Sequence, residues 1–342
     1  ERVFEQIRGF GDYGFPESHA ASFAYIGYVS AWLKRHHPEV FVCALLNAWP
    51  MGFYSPATII DDAKRHKSKI LPVDVQMSRW ECTLEERHTV KRAGKNGNGN
   101  GSTCGPKTLA VRVGLRYVKG LREDVGRTIE KEQDKRPFES IDDFITRTKI
   151  EDGALNRLAE AGAFERFDRH RRNALWRIAG HDRTTTPKLS MDENEPRVMF
   201  DRLSQFETIG WDYSSTGHST RGHPLSPFRE ELKSLGLPTA RAVTALPNGR
   251  RASYAGIVIN RQRPGTAKGV VFMTLEDETG FVNIVVWRNV FKKYMVIAKT
   301  SSFLGVTGKI QKESGVTHLV AESLWDPTTR RKPWRRGSRD FH

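Results

Sequence analysis

Cysteine is scarce: Cys43, Cys82 and Cys104 are the three in the chain, and none forms a CxxC pair. That excludes a thiolate zinc site and a disulfide scaffold, and such sparse use suits a reducing cytoplasm. No run approaches the ~18 consecutive apolar residues of a membrane span, and the mean hydropathy is −0.55, so a membrane-spanning helix is excluded. No GxSxG, P-loop or Rossmann motif occurs. His36-His37, His66, His218 and His223 lack the HxxxH or HxxE spacing that sets metal ligands on one helical face, so they read as surface or structural histidines. Asp61-Asp62 and Asp142-Asp143 read as helix-end charges, and no metal site is expected in this chain.

What is present is positive charge: 55 Lys and Arg against 40 Asp and Glu in 342 residues, a net +15. A hydrophobic fraction of 38% with 10% aromatics is enough to build cores, which excludes wholesale disorder. The length suggests two or three domains at about 150 residues each. The excess is concentrated at one end. From Arg250 to His342 there are 17 Lys/Arg and 7 Asp/Glu, a net +10. Clustered cations release counterions from a nucleic-acid backbone, and interleaved rings such as Tyr254, Phe272, Phe281, Trp287 and Trp334 offer stacking surfaces. A solvated basic face is the plainer reading of charge alone.

Residues 18–37 read as a helix apolar on two faces, which predicts burial inside a larger body. Pro16 precedes it and Pro38 ends it. Helices follow over about 38–48 and 56–66, the latter with Ser55 as N-cap and Pro56 in the first helical position. Ile70–Val75 reads as extended, and the Gly/Asn tract 91–107 as a flexible loop. A helical block over 108–180 holds two glycine-centred turns, at Gly120 and Gly162, 42 residues apart, resembling a duplicated unit. Residues 181–197 form a polar linker, and 205–229 read as irregular. Five strand-like segments from Ser253 to Glu322, with a short helix at 288–295, predict an OB barrel. The acidic turn Glu276–Gly280 joins the second and third. The basic tail 327–342 reads as disordered.

Three groups of residues carry candidate chemistry. Ser18 and His19 sit at a helix N-terminus after the Gly9–Gly14 stretch, where free N–H groups suit phosphate; the alternative is an N-cap with a structural histidine. Lys119, Gly120, Arg122 and Gly162 fit helix-hairpin-helix turns that present N–H groups to a phosphate; the alternative is a plain helical connection. On the barrel, Arg261, Arg263, Lys268, Phe272 and Trp287 form a candidate single-strand surface, unless the two rings belong to the core.

The stretch Gly11–Ala24, GDYGFPESHAASFA, with Trp32-Leu33-Lys34 and His37–Phe41, resembles the fingers motif of bacterial C-family DNA polymerases, the replicative α-subunit type. Pro16-Glu17 stands where replicative members carry Asn-Lys, and resembles the error-prone branch. So do Leu71–Val75, Trp80–Glu85, Gly222-His223-Pro224-Leu225 and the terminal Ser338-Arg339-Asp340-Phe341. The resemblance implies a multidomain α + β chain: the end of the fingers over 1–90, the loop 91–107 and tandem helix-hairpin-helix over 108–180. A linker region over 181–250, an OB fold over 251–326 and a basic tail then follow. It implies that Ser18 and His19 lie near the incoming nucleotide's triphosphate. It implies nucleotidyl transfer in translesion synthesis and repair by the parent enzyme, through Mg²⁺ on palm aspartates upstream of Glu1. The chain, which opens Glu1-Arg2-Val3 without Met, then reads as a C-terminal fragment inactive alone. Primed DNA, single-stranded template, dNTP and accessory mutagenesis proteins are the implied partners; no sliding-clamp peptide supports clamp binding. A non-catalytic nucleic-acid module, including a tRNA-anticodon type of OB protein, is the rival reading.

Overall fold

A computed structural model describes residues 17–52, 54–90, 104–181, 200–313, 315–334 and 339–341. The Gly9–Gly14 stretch, Pro16, most of the Gly/Asn tract and the linker 182–197 lie outside these residues.

Helix α1 spans Glu17–His36, α2 Pro38–Asn47 and α3 Pro56–Arg65. Proline opens α2 and α3, where its missing N–H costs nothing. Ser55 caps α3, its hydroxyl accepting from Thr58 N–H. The burial expected of α1 is not supplied by the described residues: Phe23 is 59%, Tyr25 71% and Tyr28 71% exposed. Their apolar surface has no partner element among the described residues.

Strands β1 (Lys69–Leu71), β2 (Thr83–Val90) and β3 (Cys104–Arg112) form a sheet in the order β1-β3-β2. β2 and β3 pair antiparallel from Thr83↔Arg112 to Val90↔Cys104, so residues 104–107, expected in the loop, belong to a strand. Helices α4 (Glu123–Lys135), α5 (Ile141–Thr148), α6 (Asp152–Glu160) and α7 (Arg171–Ala179) complete the helical body. One core runs from Val42 on α2 to Ile178 on α7, with Leu115, Ile129, Phe144 and Phe164 fully buried. The boundary read at 91–107 therefore falls inside a hairpin of one packed body, because β3 buries Val111 against both halves.

The stretch expected to be irregular contains helix α8, Gln205–Thr216. A capping box opens it: Ser204 accepts from Glu207 N–H while Glu207 accepts from Ser204 N–H, and Gly217 closes it at φ +78°. Asp212 on α8 gathers the Arg171 guanidinium, Arg221 at 3.0 Å and the Ser219 hydroxyl at 2.6 Å. Beside this cluster His218 is wholly enclosed, its Nδ1–H donating to Thr216 O at 3.1 Å and its ring set against the Tyr117 ring.

After α9 (Arg229–Ser234) and α10 (Ala240–Ala245) comes the barrel: β4 Arg251–Gln262, β5 Val271–Asp277, β6 Gly280–Val286, α11 Arg288–Lys293, α12 Met295–Thr300, β7 Phe303–Glu313 and β8 Val316–Trp325. The strand order β5-β6-β8-β7-β4, closed by β4 on β5, makes a five-stranded OB barrel with β6 and β8 parallel. Inward alternation buries Met273, Leu275, Val282, Ile284 and Val286. The tail is not disordered throughout. Trp334 packs over Gly210 and donates to Phe206 O at 3.3 Å, and Arg339–Phe341 add a short strand, β9, parallel to Asn260–Gln262.

The acidic turn is the barrel's point of attachment. Glu276, fully buried, accepts from Arg65 at 2.9 Å, and the same guanidinium lies 4.2 Å from the Phe281 ring centre. Asp277 accepts from Ala240 N–H at 2.7 Å, and Arg229 holds both Asp277 and Glu278. Removing one member of a buried pair costs about 3 kcal/mol, so Arg65→Ala is expected to lose about that much in urea unfolding. Arg65→Lys should retain part of it; an Arg65→Ala chain of unchanged stability would show that the pair holds nothing.

His218 gives stability a pH dependence of known sign. Burial holds its pKa down to about 4, against 6.5 in the unfolded chain. Between those values the unfolded chain binds a proton that the folded chain refuses, so stability rises with pH across the window. The difference is about 3 kcal/mol between pH above 6.5 and below 4. Replacement His218→Gln should remove this dependence, so the wild-type-minus-variant difference in unfolding free energy should be more favourable to wild type at pH 7 than at pH 5, by about 2 kcal/mol.

Candidate nucleic-acid interface

Pleating turns one row of side chains outward on the barrel, and neighbouring strands align those rows. Phe272 stands opposite Val285, and Thr274 opposite Asn283, with Thr274 Oγ1 3.4 Å from Asn283 Oδ1. Across the parallel pairing, Asn283 meets His318 and Val285 meets Val320. Phe272 is 38% exposed, so its ring belongs to the outer face and not the core. Trp287, 52% exposed, stands just past the end of β6, in the N-cap position of α11. The result is a patch with one prominent ring, flanking polar groups and a cationic rim. Lys268 is exposed at the rim in a left-handed turn, φ +49°, and Arg263 lies 5.2 Å from the Phe291 ring centre.

Arg261 departs from the expected surface. It is buried, donating from Nε to Ala298 O at 2.8 Å and from Nη2 to Ser301 O. Arg263 lies past the end of β4 and is exposed, whereas the strand register sets Arg261 opposite the buried Met273. The guanidinium instead meets carbonyls at the C-terminal end of α12, where the helix dipole favours a cation.

The two hairpin glycines share a left-handed backbone conformation, with φ +74° at Gly120 and +75° at Gly162. Their surroundings differ from expectation. Lys119 N–H donates to Ser215 O at 2.8 Å, and its ammonium donates to Tyr213 O at 2.7 Å and Ser214 O at 2.9 Å. Lys119 thus caps the C-terminus of α8, and partial burial lowers its pKa. Gly162 is buried under Arg171; a Cβ there would meet Arg171 Nε at 2.7 Å. Its turn is closed to an outside phosphate. Gly120 is exposed beneath Arg157, and Arg122, also exposed, pairs with Asp124 at 2.7 Å.

Ser18 lies in the first turn of α1, and His19 is exposed one residue on, its ring 4.5 Å from that of Phe23. A grouping that sequence spacing does not show is Asp61, His223 and Glu276, buried together with ligand-type atoms within 4.8 Å of one another. Distance along the chain hides it, since the three come from α3, the connector and β5. Lys64 lies 2.9 Å from Asp61 and Arg65 2.9 Å from Glu276, so cations already answer both carboxylates. Asp61 is accordingly a buried group in the body of α3 and not a helix-end charge.

Among the described residues no helix is long and apolar enough to cross a membrane. Residues 67–174 match the model of the helix-hairpin-helix motif, and residues 253–326 that of the OB-fold nucleic acid binding domain. An error-prone DNA polymerase of Pseudomonas savastanoi pv. phaseolicola is 42% identical over 96% of this chain and 31% of its own length. One from Brucella abortus biovar 1 is 43% identical over 95% of this chain and 29% of its own. Among solved structures, asparaginyl-tRNA synthetase from Pyrococcus horikoshii aligns with 26% of this chain and 22% of its own, at 24% identity and a TM-score of 0.23. The chain spans about a third of the length of the polymerases it matches. By near-full-length sequence identity and by its helix-hairpin-helix and OB-fold domains, the chain belongs to the error-prone DNA polymerase family.

Proposed function

We propose that this chain is the DNA- and nucleotide-contacting portion of an error-prone DNA polymerase acting in translesion synthesis, with the barrel guiding single-stranded template. The observation that carries the reading is the outward ring of Phe272 between Thr274, Asn283 and Val285 under a cationic rim. Aromatic rings on a basic OB face stack bases without regard to sequence. A template guide that must pass altered bases needs that tolerance, since hydrogen-bond readout would reject them.

The parent chemistry is template-directed nucleotidyl transfer, for which two Mg²⁺ ions supply charge neutralisation and activate the attacking hydroxyl. We assign the ions to carboxylates in the part of the polymerases that this chain does not span. The Asp61–His223–Glu276 group does not fit them, because Lys64 and Arg65 are bonded to its carboxylates. Within this chain Ser18 and His19 are the residues proposed to meet the nucleotide triphosphate, with the start of α1 turned to it.

Each stacked base is worth about 1–3 kcal/mol by alanine substitution. Phe272→Ala is therefore expected to weaken single-stranded DNA binding about 5- to 150-fold with the melting temperature kept, measured by anisotropy and thermal melt. The control is Arg261→Ala, which should lower the melting temperature and spare affinity. Affinity unaltered by Phe272→Ala would remove the strand-guiding role. In the full-length polymerase, Ser18→Ala or His19→Ala should lower kcat/KM for dNTP about 10- to 150-fold, the worth of one charge-assisted hydrogen bond. Equal kcat/KM in both variants would return the pair to capping.

A further inference from the structure

The second hairpin turn is closed to phosphate, and the lysine of the first is engaged elsewhere. Gly162 is closed by Arg171, and Lys119 is engaged by α8 with both its backbone N–H and its ammonium. A second cationic surface lies beside them. A cavity of about 200 Å³ opens between the start of α7 and the segment leading into α8, and Arg169, Arg172 and Arg202 converge on it from two stretches of chain. Arg169 and Arg202 are exposed and form no ion pair among the described residues. Arg172 reaches Glu207 at 3.3 Å and remains 36% exposed.

The acids nearby are largely answered. Glu165, which also lines the cavity, is held by Arg221 at 2.7 Å and faces Arg171 at 3.7 Å. Asp168 accepts from His170 N–H at 2.8 Å. Asp201 is the remaining acid of the lining. One helical turn beyond Arg172, Trp176 is 58% exposed, with Phe200 6.1 Å away. Residues four apart share a helix face, so the ring lies on the face of α7 that carries Arg172. An exposed ring near a cluster of arginines suits a sugar-phosphate edge, since guanidinium groups grip phosphate oxygens in a two-pronged fork.

We propose that Arg169, Arg172 and Arg202, with Trp176 alongside, bind the phosphate backbone of duplex DNA, so that the helical body grips the duplex at the start of α7 and not at its hairpin glycines. The proposal rests on the DNA-handling reading above. An acidic protein partner is the competing occupant.

The test uses the whole 342-residue chain and a blunt DNA duplex of about 20 base pairs, titrated by anisotropy across a salt series. Each phosphate contact contributes about 0.9 to the slope of log K against log salt. The double variant Arg169→Ala/Arg202→Ala should weaken duplex binding about tenfold or more and reduce that slope by about 2. Single-stranded DNA affinity through Phe272 should not change. Arg169→Lys/Arg202→Lys should keep most of the slope, which separates lost charge from lost folding. Duplex DNA should quench tryptophan fluorescence in wild type, and much of that quenching should vanish in Trp176→Phe. Duplex affinity and slope unaltered in the double alanine variant would overturn the proposal while leaving the DNA-handling reading intact. A chain that binds neither duplex nor single strand would overturn both. Binding of single strand but no duplex by wild type would overturn the proposal while leaving the single-strand reading intact.

Discussion

The placement of the barrel depends on where one short acidic turn finds its cations. Glu276, Asp277 and Glu278 are adjacent in sequence, and left in water they would repel one another. In the folded chain each is answered from elsewhere: Glu276 by Arg65 of α3, Asp277 by Ala240 N–H and Arg229, and Glu278 by Arg229. Burying carboxylates is unfavourable unless charge and hydrogen bonds are both supplied, so this turn admits few arrangements of its neighbours. The apolar contacts follow. Leu225, Phe228, Leu232 and Leu237 pack on Ala255, Ile257 and Phe303 of the barrel once the turn is seated. The outward face bearing Phe272 thereby acquires a defined orientation relative to the helical body.

Charge in this molecule works in two populations. The sequence carries a net +15, but many guanidinium groups serve the interior: Arg112 clamps Glu85 and Pro72 O, Arg171 and Arg221 share Asp212, and Arg261 closes α12. Composition counts these and the exposed ones alike. Only position distinguishes an arginine that fixes a backbone carbonyl from one that can neutralise a phosphate. Arg263, Lys268, Arg169 and Arg202 remain on the surface.

Much of the fold was legible because local rules dominated it. The five barrel strands follow period-two alternation, and α2 and α3 begin at prolines. α8 was missed although its signals were present: Ser204 followed three residues later by Glu207, and Gly217 at the end. A run of Ser, Gly and His downstream masked them. Sequence reasoning grouped Arg261 with Arg263 on the barrel surface, but the cross-strand register that sets Arg261 opposite the buried Met273 is not visible in local sequence. Lys119 fitted its hairpin locally, yet its partners lie about 95 residues away on α8, beyond any local pattern. The inter-segment group of Asp61, His223 and Glu276 was invisible for the same reason. The direction of Phe272 was left open by sequence, and its 38% exposure in the folded barrel sets it on the outer face.

The short β9 pairing changes what counts as the end of the barrel. β7 leaves β4 at Ile257, so the backbone of Asn260–Gln262 would face outward with nothing beyond it. Arg339–Phe341 fill that place, and Trp334 fastens the intervening chain to α8 by filling the space that a side chain at Gly210 would take. A barrel excised at residue 326 would lose both, baring a strip of strand edge that natural sheets cover or charge to avoid pairing between molecules. The unit that can stay monomeric is thus longer than the five strands that define it. Among the described residues, the basic stretch 330–334 is thereby held where Trp334 meets α8.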